Sequence, residues 1–306
     1  ASGVRLEGVG AVAARFLGVE APYTPEYWNH TVVQCTLNGS AVAYLIGGGE
    51  LRGTYAEAHL VFGSYSIKSA EVGYLHLVNT TALLNTSSIG TLEAVGSSVT
   101  GYDTAVSTWI GVESSYTGYA TLHVRVTFAG KPVSGAHVMA SNSLGAVEAT
   151  TGSDGYALLR PVIEVCSAGC TINRSAFVEA VYKGLRSSSS VDLTHTPVAI
   201  EIALPVPSLE VDVRSPWGEP VTGLAPGMLV QVNASFDLKG FTSRALLRIE
   251  LLSGGSAIGS IEVPVTEMGS GSIIAYLFTP FEESVYSIRA VLNLEGLPEV
   301  AVSWPS

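Results

Sequence analysis

The chain almost never repeats its apolar residues at the three-and-four spacing of a helix face, and this limits what it can fold into more than any other feature. Short runs rich in Val, Ile, Thr and Tyr alternate apolar with polar positions and stop at clusters of Gly, Ser, Asn and Pro. Alternation of period two turns one face of a strand into a core and the other into water, so the expected class is all-β. The C-terminal third shows it best. Val230, Val232, Ala234 and Phe236 share one face, and Gln231, Asn233 and Ser235 the other. Leu247, Ile249 and Leu251 alternate with Arg248 and Glu250, followed by Ile261, Val263 and Val265 and by the Ser272–Phe278 run. Tyr286, Ile288, Ala290 and Leu292 come next, then Val300, Val302 and Trp304, with Leu209–Val213 in front of them all.

Seven strands at this spacing fit an immunoglobulin-like sandwich. A chain of 306 residues exceeds what one core usually organises. The expectation is therefore three tandem β-sandwich domains of jelly-roll or immunoglobulin-like type, over residues 1–118, 119–206 and 207–306. The last boundary is set by Leu204-Pro-Val-Pro-Ser208, a stiff linker that cannot continue a central strand. Leu122, Val124, Val126 and Phe128 open the middle domain facing inward, with His123 and Arg125 outward.

Two turns follow in that domain, Gly130-Lys-Pro-Val-Ser-Gly-Ala-His-Val138 and Thr150-Thr-Gly-Ser-Asp-Gly-Tyr-Ala-Leu158. Together they resemble the transthyretin-like or carboxypeptidase-regulatory-like domains, small sandwiches that serve mostly as spacers and interaction modules in secreted and surface proteins. Some relatives crosslink themselves through a Lys–Asn isopeptide bond. Here Lys131 sits in the turn and the first strand offers no core-facing Lys, so that chemistry is not carried over.

The first 118 residues are strand-like but less regular, with segments at Thr31–Thr36, Ala41–Ile46, Tyr55–Phe62, Val72–Val78 and Thr104–Val112 that suggest a sandwich or jelly roll. Before them, Val4, Leu6, Gly8, Gly10, Val12, Ala14 and Phe16 place apolar residues or Gly at every even position. A strand of that length spans about 43 Å, well past the usual five or six residues. It reads as a first strand with a glycine kink, as a short helix over Ala11–Leu17, or as a donor strand, residues 3–17, that completes a sheet in a neighbouring subunit. In the donor reading Val4, Leu6, Val12 and Phe16 are the assembly residues.

Compartment is read from asparagine and cysteine. Six of the eight Asn begin an Asn-X-Ser/Thr sequon: Asn29, Asn38, Asn79, Asn85, Asn173 and Asn233. Ser and Thr number 58, so chance alone gives about one and a half. N-linked glycans and a secreted or cell-surface location are expected. The Ala1-Ser2-Gly3 start resembles the end left after removal of a signal peptide. No membrane span is expected, because the uncharged stretch Tyr27–Gly49 holds two sequons, Gln34 and a Gly triplet. In an oxidising compartment Cys166-Ser-Ala-Gly-Cys170 reads as a turn closed by a disulfide, leaving Cys35 as a small buried hydrophobe.

Lys plus Arg number 15 against 26 Asp plus Glu, a net charge of −11, which disfavours nucleic acid as a partner. No nucleophile elbow or phosphate loop occurs, and the six His (His30, His59, His76, His123, His137 and His195) form no i,i+4 pair. Catalytic residues, metal ligands and cofactors are accordingly expected to be none, although His59, His76 and His123 lie in strands and neighbouring strands bring residues together. With only 13% charged residues and 47% hydrophobic ones, apolar surface is left for interfaces. In style, with four Lys, tandem sandwiches and dense sequons, the chain is similar to archaeal extracellular filament and surface-layer subunits. That resemblance implies a pilus-like or surface-layer glycoprotein whose partners are copies of itself; the alternative is an adhesin or other ectodomain that binds a glycan or a surface partner.

Overall fold

The computed structural model describes residues 36–265 and 269–305, and for 36–46 the backbone alone. The protein is all-β, built of several packed sheets in the manner of tandem sandwiches. The first unit holds β1 (Thr36–Ile46), the very long β2 (Gly49–Asn85), β3 (Ser88–Val95), β4 (Ser98–Tyr102), β5 (Ala105–Val112) and β6 (Ser115–Tyr119). Its strands pair in parallel: Ser88 lies opposite Glu71, Ala105 opposite Ser88, Ser98 opposite Thr81 and Ser115 opposite Ser98. Each of these steps is 17 residues, so the chain winds as a coil and each turn is a template for the next; β1 meets β2 at a shorter, irregular step. This differs from a jelly roll, whose neighbours are antiparallel hairpins. The expected segments Tyr55–Phe62 and Val72–Val78 are both strand, but they belong to the single bent β2.

The bends recur with the same step. Phe62, Asn79, Gly96 and Glu113 have positive φ, as do Ser69, Thr86 and Asp103. A hydroxyl follows most of them. Ser97 Oγ donates to Val95 O at 2.9 Å and accepts from Thr80 N at 3.0 Å, and Ser114 Oγ does the same with Val112 O and Ser97 N. These side chains satisfy backbone groups that a sharp corner would otherwise leave unpaired. Inside, columns of like residues stack from turn to turn: Tyr55, Val72, Ile89 and Val106; Leu60, Leu77 and Ala94; Tyr65, Ala82, Val99 and Tyr116.

The middle unit contains β7 (Leu122–Phe128), β8 (Lys131–Pro132), β9 (His137–Asn142), β10 (Gly145–Thr150), β11 (Tyr156–Leu159), β12 (Val162–Cys166), β13 (Cys170–Ile172), β14 (Ser175–Tyr182), β15 (Leu185–Asp192) and β16 (Val198–Leu204). One sheet runs β10-β9-β14-β15, the other β11-β7-β16 with β8 on β7. The turn residues do what their chemistry allows. Asp154 Oδ1 accepts from Tyr156 N, Gly155 takes φ 78°, and buried Thr151 ties Val133 O to Ala136 N. The β12–β13 hairpin leaves this unit and pairs antiparallel with β6, capping the open end of the coil. Cys166 and Cys170 are joined by a disulfide at its turn, and Trp109 Nε1 donates to Ser167 O beside it.

Under the cap lies Glu164, almost fully buried, 3.8 Å from the Arg174 guanidinium and near the buried Tyr116 hydroxyl. Burial raises the Glu164 carboxyl above the usual carboxylate range, with Arg174 opposing, and burial together with the Glu164 charge raises the Tyr116 phenol. A carboxyl raised in the fold binds its proton more tightly there than in the unfolded chain. Its contribution is therefore full below the ordinary carboxylate pKa and is lost as pH rises through the raised value. Glu164→Gln removes the charge and keeps the shape. It should raise the thermal midpoint at neutral pH by about 4–8 °C, the shift for roughly 1 kcal/mol in a unit of this size, with little change in mild acid. Melting curves across that pH range check it; a loss of stability at neutral pH that disappears in acid would show Glu164 acting through the Arg174 pair instead.

The C-terminal unit is a sandwich of seven strands: β17 (Ser208–Arg214), β18 (Leu229–Asp237), β19 (Ala245–Ser253), β20 (Ser256–Val265), β21 (Ser270–Phe278), β22 (Tyr286–Leu294) and β23 (Val300–Trp304). Sheet β17-β18-β21 faces sheet β20-β19-β22-β23. Val230, Val232, Ala234, Leu247, Ile249, Ile288 and Ala290 meet between them. The β14–β15 turn docks on this unit, with Thr242 N donating to Lys183 O and Lys183 Nζ to Glu295 O, both at 2.7 Å.

Candidate assembly edge in the C-terminal sandwich

The three-stranded sheet of this sandwich has two edges, β17 and β21, and the two are built differently. Strand β21 pairs with β18 over its whole length, from Leu229 opposite Phe278 to Asp237 opposite Ser270, without a bulge, and no strand among the described residues pairs with its other side. Sheets normally blunt such edges with charge, proline or irregularity. The facing edge, β20, has Glu262, Pro264 and a register shift near Leu251, and the opposite edge, β17, has Glu210, Asp212 and Arg214. β21 reads Ser-Gly-Ser-Ile-Ile-Ala-Tyr-Leu-Phe, with neither charge nor proline.

Both faces of β21 carry apolar groups. Ala275 and Leu277 point into the core, while Ile274, Tyr276 and Phe278 point outward and are each at least half exposed. Phe281 packs edge-on against Phe278 at 5.4 Å between ring centres, and Leu229, opposite Phe278, extends the patch. On the core side Ile273 of β21 and Ile261 of β20 are only half-buried, although both pack against the core cluster. A strand added here would gain backbone partners from β21 and apolar cover from both sheets.

The other expected site residues are placed as follows. Val4, Leu6, Val12, Phe16, Asn29, His30 and Cys35 lie outside the described residues, as does the Asn38 side chain. Asn79 and Asn85 are exposed at coil corners, Asn79 with φ 49°. Asn79 also borders an open groove of about 780 Å³ lined mainly by Ser, Thr and Gly of the corner column. Asn173 is half-buried; it donates to Ser143 Oγ at 2.8 Å and accepts from Ser175. Asn233 stands on the outer face of β18 opposite Ile274, with its Oδ1 covered and accepting no hydrogen bond. Glu164 lies near Cys166 and Cys170, but both sulfurs are consumed by the disulfide. No helix among the described residues is long and apolar enough to cross a membrane.

The sequence reading did not single out Ile274, Tyr276 and Phe278. The available signal was the absence of charge in a nine-residue run, which marks an edge only once the strand order is known.

No family model matches the chain, and no curated protein matches it. Among solved structures it is similar to a DUF3823 family protein from Bacteroides ovatus, at 13% identity and a TM-score of 0.24, over 60% of this chain and 97% of that one. It is similar to the major pilin SpaD from Corynebacterium diphtheriae, at 10% identity and TM-score 0.26, over 60% of this chain and 64% of the pilin. It is also similar to the TIE protein of Bacillus anthracis, at 11% identity and TM-score 0.25, over 62% of this chain and 48% of that one.

Proposed function

We propose that this chain is a structural subunit of an extracellular glycoprotein filament or surface layer, joined to copies of itself by strand addition at β21. The observation that carries the reading is the unprotected, doubly apolar β21 edge beside half-buried core residues. The occupant we assign is residues 3–17 of another copy. That segment alternates small and apolar residues over a length greater than β21, and its charged Arg5, Glu7 and Arg15 all fall on the odd face. Its even face then lies on Ile261 and Ile273 while its backbone pairs with β21. The exposed Asn79 and Asn85 sequons sit on the coil, in a different unit from this edge, whereas a glycan on Asn233 would border the outer patch at Ile274 and leave the core side of the edge open.

Deleting residues 1–17 should abolish polymer while leaving a folded monomer. Electron microscopy of the purified material and circular dichroism of the truncated chain read the two outcomes separately. Intact filaments or sheets from the truncated chain would overturn the reading. A full-length chain that stays monomeric would instead favour the ectodomain alternative, with the outward patch of Ile274, Tyr276 and Phe278 as its binding face.

A further inference from the structure

The coil does something to histidine that spacing along the chain conceals. His59 and His76 are 17 residues apart, so they stack on adjacent turns on its outer face, and their Nδ1 atoms lie 3.4 Å apart. The two rings stand nearly perpendicular, with centres 5.6 Å apart. Tyr74 flanks both, 6.0 Å from His59 and 6.3 Å from His76. Glu57 Oε2 is 3.4 Å from the other nitrogen of His59, Nε2. Glu93, the register partner of His76 on the next turn, accepts a hydrogen bond from the Tyr74 hydroxyl.

We infer that this face binds a zinc ion between His59 Nδ1 and His76 Nδ1. The distance is the first argument. An N–H···N bond at 3.4 Å is stretched beyond the usual range of about 2.7–3.2 Å. Two nitrogens at Zn–N lengths of 2.0–2.1 Å and a tetrahedral angle, by contrast, stand about 3.3–3.4 Å apart. Adjacent positions of a square-planar copper or nickel site would bring them to about 2.9 Å, so the geometry favours zinc.

Orientation is the second argument. A carboxylate beside Nε2 of a histidine favours the tautomer whose Nδ1 lone pair faces a metal, and Glu57 Oε2, 3.4 Å from that nitrogen of His59, is long for a hydrogen bond but near enough to orient the ring by its charge. His76 must then hold its proton on Nε2 as well, a tautomer shift with no net change of charge. Glu57, at the far nitrogen of His59, and Glu93, held by the Tyr74 hydroxyl, add negative charge near the pair. With two protein ligands the affinity expected is micromolar. Zinc here would clip two turns of the coil together, which makes the role structural.

The test is calorimetric titration of the metal-free full-length chain with zinc. One zinc per chain is expected, with loss of that binding in the His59→Gln/His76→Gln variant and a weakening of about tenfold in Glu57→Gln. Far-ultraviolet circular dichroism of each variant confirms that the coil is kept. Cobalt(II) provides a readout on the native chain that needs no variant: intense visible bands of a tetrahedral site are expected, and zinc should displace them. Unchanged stoichiometry in the double variant, or only the pale spectrum of an octahedral ion, would overturn the assignment.

Discussion

Replacing both Ile274 and Tyr276 by lysine is expected to convert the assembled material into a folded monomer. The two side chains are each 56% exposed, so the substitutions should change the stability of the isolated chain by no more than about 0.5 kcal/mol. In the assembly the same positions stand on the outer face, beside the odd-numbered residues of the added strand, Arg5 and Arg15 among them. Each backbone hydrogen bond of such a pairing is worth only about 0.5–1.5 kcal/mol net. Two ammonium groups set beside those arginines replace apolar cross-strand contact by like-charge repulsion and oppose joining, as lysine does on protected edges elsewhere. Sedimentation and electron microscopy of the double variant, with its melting curve alongside, separate lost assembly from lost fold. Polymer that persists with unaltered melting would place the contact away from β21. The same charges on β20, which is already guarded by Glu262 and Pro264, should have little effect.

Gly90→Ala should cost the coil about 1–3 kcal/mol, the range for forcing one extra carbon into a packed place. A Cβ at Gly90 would sit 2.5 Å from the carbonyl oxygen of Gly73, and one at Gly73 would sit 2.7 Å from that of Ala56. Both obstacles are backbone of the neighbouring turn, which cannot rotate aside as a side chain would. Paired positions skip this column, running from Val72 opposite Ile89 to Tyr74 opposite Thr91, so it marks a bend repeated in successive turns. Gly223→Ala is the control, since nothing lies within 4 Å of its added carbon. Denaturant unfolding of the two variants should differ by the full amount, and equal midpoints would mean that the turns separate freely enough to admit a methyl group.

Period-two alternation made the strands legible, and for β17 to β23 it gave nearly the whole sandwich, because hairpin neighbours follow one another along the chain. It is silent on whether a strand pairs with the next strand or with one a full turn later. Parallel pairing in the coil therefore escaped it. The mark it left is a different period: Val61, Val78, Val95 and Val112 are each followed by a residue of positive φ and then by small hydroxyl or glycine residues. That period also bears on the sequons. Asn79 takes φ 49° and Thr80 N donates to Ser97 Oγ, so Asn-Thr-Thr is corner chemistry as well as an acceptor motif. Asn173 and Ser175 likewise form a turn through the Asn side chain. The candidate edge was hidden for a related reason, since alternation tells which face of β21 is buried and not which strands lie beside it.

The antiparallel hairpin on β6 ends a run of layers that repeat at 17 residues from Glu71 to Tyr119. Because Ser87–Asp103 fits equally between the turn before it and the turn after it, a tandem duplication of that unit would be accommodated without disturbing the cap or the sandwich beyond. Each such duplication would move the two ends of the molecule apart by one strand spacing, about 4.8 Å. The coil is thus a ruler graduated in single turns, and reach can be altered by copying seventeen residues while the parts that make contact stay as they are.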